Sequence, residues 1–103
     1  MAQILVLYPH PTDPEAFDKH YFGVHADLTR KIPGLRSFVV NRGAVSTPQG
    51  EGPYHLVAQL NFDSIEALHQ ALETPESQAA VADLANFAPE DTQVFIFDNH
   101  DVI

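Results

Sequence analysis

The residue of this 103-residue chain best placed for chemistry is His25. On a helical wheel with Phe17 at 0°, Leu28 falls at about 20°, Tyr21 at about 40°, Ile32 at about 60° and Val24 at about 340°. That apolar stripe is expected to face a sheet. His25 falls at about 80°, beside Tyr21 at the edge of the stripe, where an imidazole reaches a cavity between helix and sheet. Near neutral pH it can act as general acid or base there, or it can hold a structural hydrogen bond. Tyr8 ends the first strand next to the loop leading into this helix, so it either offers a phenol to the same pocket or packs as a core aromatic. His55 shares the polar face of a later strand with Gln59 and Asn61, where buried polar groups must pair with one another, with water or with a ligand. His25 and Tyr21 are therefore the candidate catalytic residues, and Tyr8, Phe38 and His55 the candidate substrate-binding residues.

Other chemistries find little support. The absence of cysteine removes disulfides, thiol nucleophiles and cysteine metal sites together. His20 and His25, five apart, point about 140° apart on an α-helix and so are not expected to share a ligand. No pair among the six histidines has the four-residue spacing of a metal-binding helix. Gly43, Gly50 and Gly52 do not form a dinucleotide or triphosphate loop, and serine-hydrolase and paired-carboxylate signatures are absent. No cofactor is predicted; a metal assembled from distant residues, or a haem on one axial histidine, stays open.

The elements that must position these groups follow from apolar spacing and punctuation. Gln3 to Tyr8 is a short apolar run closed by Pro9-His10-Pro11, as for a strand buried on both faces. Asp13, Pro14 and Glu15 start a helix that Arg30 and Lys31 complete before Pro33-Gly34, a span of about 14 to 31. Leu35 to about Val45 reads as strand, and Ser46 to Pro53 as turn or loop. Tyr54 to Phe62 alternates with period two. Asp63 or Ser64 caps a helix with Ile65, Leu68 and Leu72 inward, and Thr74-Pro75-Glu76 restarts a helix to about Ala85. Gln93 to Phe97 is a last strand.

This order is βαβ followed by βαβ, which predicts a single α+β domain over residues 1–103 of ferredoxin-like βαββαβ type. Two helices would cover one face of a four-stranded antiparallel sheet. The other face should then be wet, yet the first strand offers Leu5 and Leu7 there and the last offers Phe95 and Phe97. Nothing left in the chain can cover them, so a homodimer with two sheets face to face is expected.

Composition limits the partners. With 45% hydrophobic and 18% charged residues the chain reads as globular, without the roughly 18-residue apolar run of a membrane span. Its start lacks a secretory leader, which points to the cytoplasm. The net charge is −9, and all five bases lie between Lys19 and Arg42, whereas residues 43–103 hold ten acids and no base. Without a basic stripe, nucleic acid and anionic membranes are poor partners.

The run Phe17-Asp18-Lys19-His20-Tyr21-Phe22-Gly23-Val24-His25-Ala26-Asp27-Leu28, after a strand ending Leu7-Tyr8-Pro9, resembles the EthD family of dimeric α+β barrels, which carries Phe-x-x-x-Tyr-x-x-x-His on its first helix. Thr74 to Ala80, continuing to Asp83-Leu84-Ala85-Asn86-Phe87, is similar to that family's second helical block. Asp27 stands where the family often has proline. The resemblance implies a homodimer with its pocket near Tyr21 and His25, and a link to ether-degradation gene sets and reductase labels. It does not supply a reaction. Two functions follow. One is an oxidoreductase or cofactor-independent enzyme acting on a small hydrophobic or oxygenated metabolite, with oxygen chemistry available only if the substrate itself donates an electron. The other is a non-catalytic binding or accessory protein of a degradation pathway.

Overall fold

Alternation in the first strand sets the plan of the molecule. In the computed structural model, which describes residues 1–103, β1 (Ala2–Pro9) buries Ala2, Ile4, Val6 and Tyr8 and leaves the intervening residues half-buried. It pairs antiparallel with β5 (Tyr54–Phe62) on one side and β6 (Gln93–Asp98) on the other, while β2 (Leu35–Val40) pairs with the outer edge of β5. The sheet order is β2-β5-β1-β6, the ferredoxin-like arrangement. Register aligns Ile4 with Leu60 and Ile96, and Val6 with Ala58 and Val94, so one apolar face runs across three strands.

Helices cover that face only. Asp13 accepts a hydrogen bond from the Ala16 amide at 3.1 Å and starts α1 (Pro14–His20), with Pro14 in its first turn. Ser64 caps α3 (Ile65–Leu72) through the Ala67 amide at 3.1 Å, and Thr74 caps α4 (Pro75–Asp83) through the Ser77 amide at 3.2 Å. A short 3₁₀ turn, Leu84–Asn86, follows. Phe17, Tyr21, Leu68, Ala71 and Ala80 carry the helices onto the sheet.

The first helix departs from the expected regular spiral. Between α1 and α2 (Ala26–Arg30) lies one π-helical segment, Tyr21–His25, in which the Ala26 amide donates to the Tyr21 carbonyl five residues earlier. A π turn inserts one residue into an α-helix, so everything after it rotates by about 100°. Ala26 and Thr29 therefore become buried, Val24 is left 44% exposed, and His25 moves from the edge of the stripe to 6% exposure.

Two further differences are local. β2 stops at Val40, because the Asn41 side chain accepts from the Val57 amide at 2.8 Å and donates to the Gly43 carbonyl at 2.7 Å, turning the chain away from the sheet. The segment read as loop contains a minimal ribbon, β3 (Ser46–Thr47) against β4 (Gly50–Glu51). Gly52 passes so close to it that a Cβ would lie 3.1 Å from the Val45 carbonyl oxygen.

On β1 and β6 the helix-free face carries the expected apolar side chains. Phe95 and Phe97 on β6 are 46% and 38% exposed beside half-buried Leu5 and Leu7. No helix is long and apolar enough to cross a membrane. Leu68, fully buried between α3 and the sheet, tests this packing: Leu68→Ala should lower the unfolding free energy by about 2–5 kcal/mol in denaturant titration.

Candidate functional site

A cavity of about 340 Å³ opens between the sheet and the helices. Ile4, Val6, Ala58 and Leu60 form its sheet wall, with Val94 and Ile96 of the edge strand at one side. The helices contribute Tyr21, His25 and Thr29 from the first helical stretch and Ser77, Ala80 and Leu84 from the second. Tyr8 closes the end of β1. The walls are otherwise apolar, so the few polar atoms decide what can bind.

His25 is held by a residue that sequence reasoning missed. Its Nδ1 lies 3.0 Å from Oδ2 of Asp83, which is itself 6% exposed at the end of α4. The His20 Nε2 is 3.0 Å from both oxygens of the same carboxylate, and the Asn86 amide donates to Oδ1 at 2.9 Å. The two histidines expected to point apart thus converge on one carboxylate, because the i→i+5 bonding of the π turn brings residues five apart over one another. Phe87 packs against both rings, with centroids 4.8 Å from His25 and 5.0 Å from His20. A signal for Asp83 did exist: Ser77, Ala80 and Asp83 recur every three residues on one helix face, and a carboxylate on a buried stripe demands donors.

The electrostatics follow from burial and these bonds. Burial alone would raise Asp83, but hydrogen bonds from Asn86, His20 and His25 hold it below the usual carboxylate value, so it is ionised at neutral pH. Burial pushes His25 below its ordinary 6.5, outweighing the opposite pull of Asp83, so the ring is neutral there. An ionised carboxylate only accepts hydrogen bonds, hence Nδ1 carries the proton and Nε2 keeps its lone pair. Nε2 has no hydrogen-bond partner within the chain, and the Thr29 hydroxyl donates to the His25 carbonyl at 3.0 Å, fixing the backbone beneath the ring.

Tyr8 and Tyr21, each 1% exposed, meet edge to face with centroids 5.5 Å apart, and Tyr21 lies 5.3 Å from His25. Burial raises the pKa of both phenols far above their ordinary value, and for Tyr8 the neighbouring Tyr21 adds to the rise. Both stay protonated, and each hydroxyl has the other as its hydrogen-bonding neighbour, which leaves one phenol proton of the pair free.

Two expected substrate-binding residues lie elsewhere. Phe38 sits on β2, beyond β5 from the cavity, and backs the Tyr21 ring at 6.5 Å without lining the cavity wall. His55 is the extra residue of a bulge, since Tyr8 pairs with Leu56 and Pro9 with Tyr54. The bulge turns His55 off the polar face toward α1, where Nε2 meets Asp18 Oδ1 at 2.7 Å. It lines a separate polar cleft of about 540 Å³ with His10 and Glu51.

The buried cluster has a consequence for stability. His25 and Asp83 both have depressed native pKa values, so their stabilisation is complete above the unfolded values of 6.5 and 3.8 and is lost as pH falls through the native ones. Chemical denaturation across pH should show unfolding free energy falling below about pH 6.5 and again in the acid range, with the first decline shallower in His25→Phe.

Comparison with known proteins agrees with this architecture. The EthD domain matches residues 9–91. An uncharacterized 11.0 kDa protein from the thcB-thcC intergenic region of Rhodococcus erythropolis is 36% identical over 104 residues, spanning 100% of this chain and 99% of the relative. The crystal structure of an EthD family protein from Bacillus halodurans superposes with a TM-score of 0.89 at 40% identity, over 97% of this chain and 99% of that one. At 16% identity, the cofactor-independent oxygenase SnoaB of Streptomyces nogalater shares the fold alone, with a TM-score of 0.64 over 99% of this chain and 94% of its own. With its domain match and full-length relatives, the chain belongs to the EthD family.

Proposed function

We propose that this protein is a homodimeric enzyme in which His25 acts as a general base on a small, largely apolar, oxygenated molecule, using its own residues alone for the proton transfer. The observation that carries this reading is the buried His25–Asp83 pair, at 3.0 Å, with Nε2 unpartnered at the wall of an apolar cavity. Asp83 selects the tautomer and would stabilise the imidazolium that forms. Nε2 takes a proton from the substrate, the electron pair of the broken bond moves onto the substrate's oxygen, and the Tyr8 or Tyr21 phenol donates a hydrogen bond to that oxygen. Return of the proton to the same or a neighbouring atom completes an isomerisation or exchange. Oxygenation would require the deprotonated substrate itself to reduce dioxygen.

The dimer is supported by the uncovered face of the sheet. Phe95 and Phe97, with Leu5 and Leu7, form an apolar surface that no element of the chain reaches, and a second copy packed sheet to sheet would bury it.

Base catalysis is tested by deuterium exchange at the α-carbon of two-ring ketones such as 2-tetralone, followed by NMR in D₂O. Wild-type protein should accelerate exchange, and His25→Ala or Asp83→Asn should lose about 10²-fold or more. The rate should climb with pH on an acid limb below 6.5, as His25 loses its proton, and level off above it. Equal exchange in wild type and His25→Ala would reject the role, and saturable binding without exchange would assign a binding function instead. Sedimentation should show a dimer that Phe95→Asp converts to monomer; a wild-type monomer at micromolar concentration would remove the assembly.

A further inference from the structure

The polar groups of the cavity set the charge its ligand can carry. His25 Nε2 is a hydrogen-bond acceptor without a partner, and the Tyr8 and Tyr21 hydroxyls, each the other's hydrogen-bonding neighbour, keep one proton of the pair free to donate, all three on side chains more than nine-tenths buried. These are unmet hydrogen-bonding groups of both kinds. Buried groups of this sort cost free energy until something pairs with them.

No positive charge is available to an anion there. All five bases, Lys19, Arg30, Lys31, Arg36 and Arg42, are exposed, and none lines the cavity. The carboxylate behind the wall, Asp83, would repel a second negative charge. Nor is there a place for a cation. Asp83 is already bonded by His20, His25 and Asn86, and the His25 ring stands between it and the cavity. A carboxylate, phosphate or ammonium would therefore leave water with no compensating partner, whereas a neutral molecule loses little.

Size narrows the class further. A cavity of about 340 Å³ lies at the lower end of the range for small-molecule sites, which suits one or two fused rings and not a long carrier-linked chain. We propose that this cavity selects an uncharged one- or two-ring molecule that presents a hydroxyl or enol proton to His25 Nε2 and an oxygen to the Tyr8 and Tyr21 phenols, and that it rejects the carboxylate of the same skeleton. The assignment rests on the cavity being the functional site, and it holds for binding whether or not turnover follows.

The chain contains no tryptophan, so naphthalene fluorescence can be followed without interference from indole. Three probes of one skeleton separate the terms at pH 7: 2-naphthol, 2-methoxynaphthalene and 2-naphthoate. The naphthol should bind about tenfold tighter than the methyl ether, the worth of one hydrogen bond to an otherwise unpaired acceptor. The naphthoate should bind at least about a hundredfold more weakly than the naphthol. In His25→Phe the preference for naphthol over the ether should disappear while the ether still binds. In Tyr21→Phe, which keeps the base, the preference should survive. The wild-type ranking stands without either variant. Naphthoate binding as tightly as naphthol would overturn the charge assignment alone, and ether binding as tightly would overturn the proton-donor requirement. Failure of all three probes to bind would overturn the proposal together with the cavity reading beneath it.

Discussion

A carboxylate taken out of water must be met by donors, and in this fold Asp83 meets three of them, two from a distant part of the chain and one from its own turn. His20 and His25 come from the first helical stretch, 63 and 58 residues away, and Asn86 from the turn just after. The interaction locks α4 to α1 and the π turn across the top of the sheet. A hydrogen bond to a charged group contributes about 1.5–3 kcal/mol in general, and losing one here would leave the buried carboxylate short of a donor. The same bonds orient the one imidazole that reaches the cavity, so the joint between the helices and the tautomer of that imidazole share a single physical cause.

The π turn makes that joint possible. A regular helix through Tyr21–His25 would have put Val24 against the sheet and His25 at its margin. With one extra residue in the turn, His25, Ala26 and Thr29 go inward together, and Val24 is left in contact with water. Exposing a valine loses apolar burial, and π bonding is poorer than α bonding. The Asp83 bonds and the Phe87 packing against both imidazoles offset that loss. Gly23, with nothing within 4 Å of where its Cβ would be, occupies the outside of the turn.

The sheet divides the molecule into two surfaces of different use. On the helix side, β1 and β5 supply the floor of the core and the cavity, and β6 extends the floor past the helices so that Val94 and Ile96 border the opening. On the other side the same strands leave Leu5, Leu7, Phe95 and Phe97 facing outward. Both faces of β6 are apolar, which is costly for a strand exposed at a sheet edge. The proposed association through the free face would relieve that cost while leaving the cavity on the opposite side.

Much of this was legible in the chain. The apolar run of β1, period-two alternation in β5, the caps at Asp13, at Asp63 or Ser64 and at Thr74, and the stop at Pro33-Gly34 specify the element order, because each depends on neighbours a few residues away. Tyr8, Tyr21 and His25 as a group came from the same local spacing. Three features depended on contacts that spacing cannot register. The π turn forms because a carboxylate 58 residues further on pays for its irregular bonds. His55 turns toward Asp18 through a bulge that exists only where β5 meets β1. Phe38 lies off the cavity because sheet order puts β2 at the edge opposite β6. Local pattern thus determined the strands, the helices and the candidate aromatic and imidazole groups, whereas the pairing of strands and the burial of Asp83 decided which of those groups face one cavity, since both arise from contacts between segments far apart in the chain.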